Sequence, residues 1–310
     1  MGRILVSGLI NTETAARVRG FPIGYYPIDY PFFGVDTAVS GVAYNIARAL
    51  TTLGDEVTLV SMTGKDFQAD YIRAALAEDG ISGAYIRQDL SQTPNSVVLY
   101  DQEGKRQVYC DLKDIQETAY EFDRVPLETV DLVAACNINF NRPLLAAAKA
   151  AGKTIATDVH VLGDIQDDYN RDFMAAADIL FLSDEAVGED YRGFLSGLAR
   201  TYRNQIIVLG RGAKGAAMYL RDTGMLYALP AASSGCGGNT VGAGDALFSG
   251  FLHGYVRGLP PLEALHRAQV FAAAKIRVSG GAKGFLTEEE LKDALVNVPH
   301  PIPAIHSLFG

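Results

Sequence analysis

The sequence predicts an α/β protein with a mostly parallel central sheet, helices on both faces and a small second β-sheet. Three observations carry this. From residue 130 onward, short apolar runs alternate with helix-length amphipathic runs, the pattern of a parallel sheet covered on both sides. Two β-rich stretches, about 12–37 and 92–112, do not fit that alternation and read as a separate small sheet. The chain has 310 residues, 48% of them apolar, enough for one large core spanning 1–310 with that sheet as an appendage.

Residues 3–8 read as a strand ending at Gly8, followed by a loop, Leu9-Ile10-Asn11-Thr12-Glu13. Residues 18–36 carry Phe21, Pro22, Tyr25, Tyr26, Pro27, Tyr30, Pro31, Phe32 and Phe33, whose prolines exclude a helix or a central strand. They suggest edge strands and turns. Ser40-Gly41-Val42-Ala43-Tyr44-Asn45 opens a helix with Ile46, Leu50 and Leu53 on one face and Gly54 as its stop. A buried strand over 57–61 precedes a helix over 67–79. Strands follow at 84–87, 95–101 and 106–111, the last two a hairpin expected to pair with the aromatic segment. Strands are then expected at 131–135, 154–158, 178–182, 206–210 and 216–220, with helices at 142–151, 168–176 and 190–203. Helices at 243–258, 261–279 and 287–295 complete the chain, and no repeat or low-complexity tract interrupts it.

The net charge is −9 and no Lys/Arg run occurs, which argues against nucleic acid or an anionic membrane surface as partner. No apolar run approaches the roughly 18 residues of a membrane span. The N-terminal apolar stretch is too short for a signal-peptide core. Cys110, Cys136 and Cys236 show no metal-ligand spacing and suit a reducing cytoplasm, the expected location.

The chemistry concentrates in Gly235-Cys236-Gly237-Gly238-Asn239-Thr240-Val241-Gly242-Ala243-Gly244-Asp245. A glycine-rich loop entering a helix offers unpaired N–H groups and a positive dipole end, an anion site whose best-fitting anion is phosphate. Asp245 stands beside it as a proton acceptor, and the helix start is expected to keep it ionised. In parallel sheets ligands gather at the C-terminal strand ends. The loops there carry Asn11, Glu13, Gly41, Asn45, Asn137 to Asn141, Asp158, His160, Ser183 to Glu185 and Gly210 to Lys214. A Walker loop is excluded because Lys214 and Lys283 each precede glycine. A dinucleotide fingerprint is absent after the first strand, which argues against an oxidoreductase.

Asn239-Thr240-Val241-Gly242-Ala243-Gly244-Asp245-Ala246 resembles the signature Asp-Thr-x-Gly-Ala-Gly-Asp-Ala/Ser of the PfkB carbohydrate kinases, which include ribokinase, fructokinase and adenosine kinase. Ser40-Gly41-Val42-Ala43-Tyr44-Asn45 is similar to that family's upstream Gly-Gly-x-x-x-Asn, and Gly212-Ala213-Lys214-Gly215 to its nucleotide-side turn. The order and spacing agree over essentially the whole chain. The resemblance implies a ribokinase-like three-layer sandwich. It makes Asp245 the base and the 242–244 backbone (Gly242, Ala243, Gly244) the anion hole for the transferred phosphoryl group. Asn11, Glu13, Gly41, Asn45 and Asn139 fall on the substrate side. Arg211, Gly212, Lys214, Gly215, Asn239, Gly281 and Ala282 fall on the nucleotide side.

Some positions depart from the family pattern. Asn239 replaces the Asp of a monovalent-cation site, keeping an oxygen but dropping the charge, so that cation stays open. Where the family has Asn-x-x-Glu, a magnesium-and-phosphate motif, this chain has Ser183-Asp184-Glu185-Ala186. Asp184 or Glu185 either serves the metal or is a solvated helix-start residue. Glu13 stands where the family's sugar-gripping Asp belongs, and Ser40 replaces a glycine. His160 either contacts phosphate or is structural, and Asn137, Asn139 and Asn141 either face a ligand or cap loops. Tyr25, Tyr26, Phe32 and Phe33 either pack a homodimer through the lid or stack on a ring.

The expected activity is transfer of the ATP γ-phosphoryl group, with Mg²⁺, to a hydroxyl of a sugar or sugar-like molecule. A nucleoside kinase and a catalytically weak ligand-binding member are the alternatives. Residues 233–240 are expected to be mobile without nucleotide.

Overall fold

The computed structural model describes residues 1–232, 241–278 and 280–309. Asn239, Cys236 and the expected mobility of 233–240 therefore lie outside the described residues.

The central sheet has ten strands. Its parallel part places β1 (Arg3–Ser7) between β4 (Glu56–Met62) and β8 (Leu132–Ala135). β5 (Tyr85–Arg87) flanks β4, and β9 (Thr154–Val161), β10 (Ile179–Ser183) and β11 (Ile206–Gly210) continue from β8. Three antiparallel strands extend the far edge: β12 (Ala216–Leu220), β13 (Met225–Leu229) and β14 (Ala304–Ser307). The last two were not expected; each is a four- or five-residue run beside charged or proline-rich stretches and becomes a strand only by pairing.

Both faces of β1 are buried, so its residues alternate between two cores. Leu5 packs with α3 (Arg142–Ala150), α4 (Arg171–Ala176) and α5 (Tyr191–Thr201) through Leu144, Phe173 and Leu195. Ile4 and Val6 pack on the other face with α1 (Val42–Thr52), α2 (Phe67–Glu78), α6 (Ala243–Val256) and α7 (Pro261–Lys275). α8 (Glu288–Val296) covers α7 through Leu291 and Phe271. The α6–α7 contact is close because Gly250 and Gly254 present no Cβ; one added at Gly250 would lie 2.9 Å from Ala268 Cα.

A second sheet holds four strands in the order β3-β2-β6-β7. They are β2 (Asn11–Arg17), β3 (Val35–Ser40), β6 (Asn95–Tyr100) and β7 (Arg106–Asp111). β2 pairs antiparallel with β3 and parallel with β6. Two expectations need correction. Residues 11–13, read as loop, begin β2, and the hairpin pairs with β2 instead of with the aromatic segment. The polar run Asn11-Thr12-Glu13 conceals a strand because part of it faces a polar cavity, which removes the apolar alternation by which strands are read. Residues 18–34 carry no strand and link β2 to β3.

Helix starts differ in a way that matters for the site. Asp66 caps α2, Asp190 caps α5, and Thr287 with Glu290 forms a capping box on α8. α1 and α6 begin instead at Gly41 (φ 102°) and Gly242 (φ 77°), without a side-chain cap. No helix among the described residues is long and apolar enough to cross a membrane.

Candidate active site

The first turns of α1 and α6 meet behind the C-terminal edge of the parallel strands. Asn45, in the first turn of α1, donates from Nδ2 to Asp245 Oδ2 at 2.7 Å. Both side chains are buried, and Asn45 Oδ1 has no partner among the described residues. Gly242 fits only as glycine. Its φ is left-handed, and a Cβ there would lie 2.4 Å from Gly281 O. Gly281 in turn faces the Asn45 amide and Ser40 Oγ, with a Cβ position 3.0 Å and 3.3 Å from them. The turn at 280–282 and the start of α6 thus hold one another in place. Gly41 is likewise fixed, since a Cβ would lie 2.5 Å from Leu9 O.

Burial holds the Asp245 carboxyl above the ordinary carboxylate range. His160, the Asn45 hydrogen bond and Lys275 pull it back down, while Asp158 pushes it up. At this depth desolvation is the largest influence, and it opposes the helix start that is expected to keep the carboxyl ionised. Asp158, within β9, accepts from His160 N at 2.8 Å, with His160 Nδ1 3.5 Å from its other oxygen. His160 adopts φ 58°, unusual for a residue with a side chain. Gly244 packs against Asp158, its Cβ position 3.9 Å from Oδ2. Lys275, at the end of α7, is fully buried and donates to Val278 O at 3.2 Å. Burial lowers its pKa and Asp245 raises it.

Glu13 accepts from Ser40 Oγ at 3.3 Å. Burial raises its pKa, the Ser40 hydrogen bond lowers it, Asp245 raises it and Arg106 lowers it. Glu13 and Asp245 therefore feel each other's charge across the site. Asn11 donates to Ser96 Oγ at 2.9 Å, leaving its buried Oδ1 without a partner among the described residues. A cavity of about 680 Å³ starts at Glu13, Ser40, Val241 and Gly281, and runs between the four-stranded sheet and α1 and α2.

On the other side of α6, the ends of β10 and β11 pair Ser183 with Gly210. Ser183 Oγ and Arg211 Nε are buried there without hydrogen-bond partners among the described residues. The Arg211 guanidinium lies over the Tyr191 ring, 3.9 Å from its centroid, and 3.9 Å from Asp184. Gly212, Ala213 and Lys214 form a single 3₁₀ turn, closed by Arg211 N donating to Gly215 O. Gly215 (φ 89°) has no room for a Cβ against Leu229 O. Ala282 is buried beside Gly281. No cluster of three or more His, Cys, Asp or Glu among the described residues is arranged to hold a metal, so Asp184 and Glu185 form no closed metal site.

Asn139 is not brought into this arrangement. Its backbone N–H and side chain bond Gln116, and its Oδ1 accepts from Arg142 Nε. Asn141 bonds Ser7 and Cys136 carbonyls, and Asn137 bonds Asn170. The asparagine stripe ties loops together. Lys275 had gone unnoticed; a lysine after Phe271-Ala272-Ala273-Ala274 in an apolar helical run was the available signal.

A ten-stranded α/β sheet with a small second sheet thus carries a buried carboxylate, Asp245, at an uncapped helix start. The chain matches the pfkB family of carbohydrate kinases over residues 1–288 and belongs to that family. It is a kinase. It is similar to the acarbose 7(IV)-phosphotransferase of Actinoplanes sp., 25% identical over 275 residues, covering 87% of this chain and 90% of that protein. It is also similar to the fructokinase of Klebsiella pneumoniae, 26% identical, covering 82% and 90%. Among solved structures, a microbiome-derived acarbose kinase superposes with TM-score 0.85 at 25% identity, covering 96% of this chain and 99% of that one. Arabidopsis thaliana ribokinase with ribose and ATP shares the fold at TM-score 0.80 and 18% identity, covering 95% and 99%.

Proposed function

We propose that the chain transfers the γ-phosphoryl group of ATP to a hydroxyl of a sugar or sugar-like acceptor. One observation carries this: a buried carboxylate, Asp245, stands in the first turn of an uncapped helix and is oriented by Asn45 across 200 residues of sequence. The acceptor oxygen bonds to the γ-phosphorus as the β–γ bridging bond breaks. Its proton passes to Asp245, and ADP leaves. The N–H groups of 242–244 receive the charge on the transferred group, where fixed donors in a dry site act strongly. Asn45 positions the base, and Glu13 and Asn11 accept or orient acceptor hydroxyls.

ATP suits the polar groups left without hydrogen-bond partners among the described residues at the ends of β10 and β11, Ser183 Oγ and Arg211 Nε, beside the 211–215 turn with Lys214. Asn239 and Gly281 with Ala282 complete the nucleotide side. Mg²⁺ neutralises phosphate charge when bound. It is commonly held by one or two carboxylates plus phosphates, so an open pair such as Asp184 and Glu185 suits it better than a closed cage. The related kinases named above act on sugars, which favours a sugar over a nucleoside. Exposed Tyr25, Phe32 and Phe33 suit pairing of two copies through the small sheet, which serves as a lid. The whole chain reads as one cytoplasmic unit.

The test is ADP release with a panel of monosaccharides, larger saccharides and nucleosides, comparing wild type with Asp245→Asn. The expected outcome is acceptor-dependent turnover that falls roughly 10²–10⁴-fold in the variant. Equal rates for the two proteins would favour the weakly catalytic, ligand-binding reading.

A further inference from the structure

The cavity that begins at Glu13 and Ser40 is larger than one sugar ring requires. Its volume, about 680 Å³, sits well inside the range of roughly 300–1,000 Å³ that encloses drug-sized ligands. A single acceptor ring at the Glu13 and Gly281 end, the end nearest Asp245, would occupy only part of this space. Beyond it the space continues to Tyr71 and Ala75 on α2, and to Tyr100 and Arg106 on the lid.

The walls of that outer part have the chemistry of a saccharide site. Tyr71 and Tyr100 line it with aromatic side chains, a residue type suited to the C–H faces of a pyranose, and the Tyr71 hydroxyl donates to Thr37 O at 3.3 Å, joining α2 to β3. Glu78 and Asp101 supply hydroxyl acceptors. The lining charge decides against an anionic acceptor. Six lining residues are acidic and three basic. Lining carboxylates already hold Arg48, through Asp79 at 3.1 Å, and Lys283, through Asp36 at 3.3 Å. A sugar phosphate or sugar acid would meet a net negative wall, whereas a neutral or protonated amino sugar would not.

We infer that the acceptor is a saccharide of more than one ring, neutral or amine-bearing. Its phosphorylated ring sits at Asp245, and its remaining rings lie along α2 beneath the lid. The inference rests on the kinase reading for its chemistry, and on the cavity alone for its size and charge.

The experiment compares kcat/KM for ribose, glucose, fructose and fructose 1-phosphate with that for maltose, maltotriose and kanamycin, in wild type, Ala75→Trp and Tyr71→Ala. At least one multi-ring acceptor is expected to exceed the best single-ring sugar by about tenfold or more, the scale set by a few added contacts. Ala75→Trp, which fills the far end, and Tyr71→Ala, which removes a stacking face, should each raise KM for that acceptor by about tenfold while leaving the best monosaccharide within about twofold, as loss of remote binding does. A monosaccharide or sugar phosphate that equals or exceeds every multi-ring acceptor would overturn the inference, as would variants that weaken both classes equally. If nothing is phosphorylated, calorimetric titration of the same sugars into Asp245→Asn separates the two ideas. Binding of a multi-ring sugar alone would uphold the pocket and overturn the proposed phosphoryl transfer to these acceptors. Failure of every multi-ring sugar to bind would overturn the pocket.

Discussion

The two ends of α6 bury charge in opposite ways. At its C-terminal end, His253 lies between two carboxylates, with Nδ1 2.7 Å from Asp55 and Nε2 2.9 Å from Glu288. Asp55 also takes Arg257 at 2.5 Å and the Gly2 N–H at 3.0 Å, and Glu288 also takes Arg267 at 2.9 Å. The charges close on one another and tie the chain start, α6, α7 and α8 together. At its N-terminal end, Asp245 shares its surroundings with two other acids, Asp158 and Glu13, and Asn45 next to it keeps a buried oxygen without a partner among the described residues. Buried polar groups are normally satisfied. A completed network holds the fold, and an incomplete one beside a cavity holds room for a ligand.

The sharpest way to break this comparison is to neutralise each end in turn. Asp245→Asn should lose the rate stated above yet melt no lower, and at neutral pH somewhat higher, than wild type in a calorimetric scan. The sign follows from its raised folded pKa. Whatever stability the carboxyl adds is present below its unfolded pKa and is lost as pH rises through the folded one. A carboxylate at pH 7 is therefore a cost that Asn removes. His253→Ala should do the reverse. Removing one partner of a buried hydrogen-bond network costs about 1–3 kcal/mol, so denaturant unfolding should shift while kcat of the remaining folded enzyme stays near wild type. A kcat collapse with unchanged stability would mean that the C-terminal cluster is functional after all.

A smaller effect concerns pH. Lys275 is a fully buried cation that favours the ionised form of Asp245. The acid limb of kcat/KM is expected at higher pH than an ordinary carboxylate gives. Lys275→Met should move it higher still, while Lys275→Arg, which keeps the charge, should move it less. A merely structural lysine would change stability and leave the pH profile in place. The smallest expected effect lies at the exposed aromatics. Phe33→Ser with Tyr25→Ser should leave each subunit folded, and should convert dimer to monomer in light scattering if the lid pairs two copies.

Much of the fold and the centre of the site are legible in the chain. The alternating strands and helices, the glycine run into α6 and Asp245 itself all rest on local pattern, because backbone freedom, helix ends and apolar periodicity are properties of short segments. β2 and β14 are less legible, since one faces a polar cavity and the other depends on a neighbouring edge. Asn139 shows a limit of another kind. Its place at a strand end was readable, but Gln116 and Arg142, which occupy it, lie elsewhere in the fold.

By itself, then, the sequence determined which backbone could form an anion site and which carboxylate stood beside it. Tertiary structure alone decided how that carboxylate behaves. Desolvation raises its pKa, Asn45 orients it and Lys275 counters it, and each of these depends on segments 30 to 200 residues away meeting in one low-dielectric space. The size and charge of the cavity have the same origin. Volume and net field belong to surfaces brought together by packing, so no single stretch of residues encodes them.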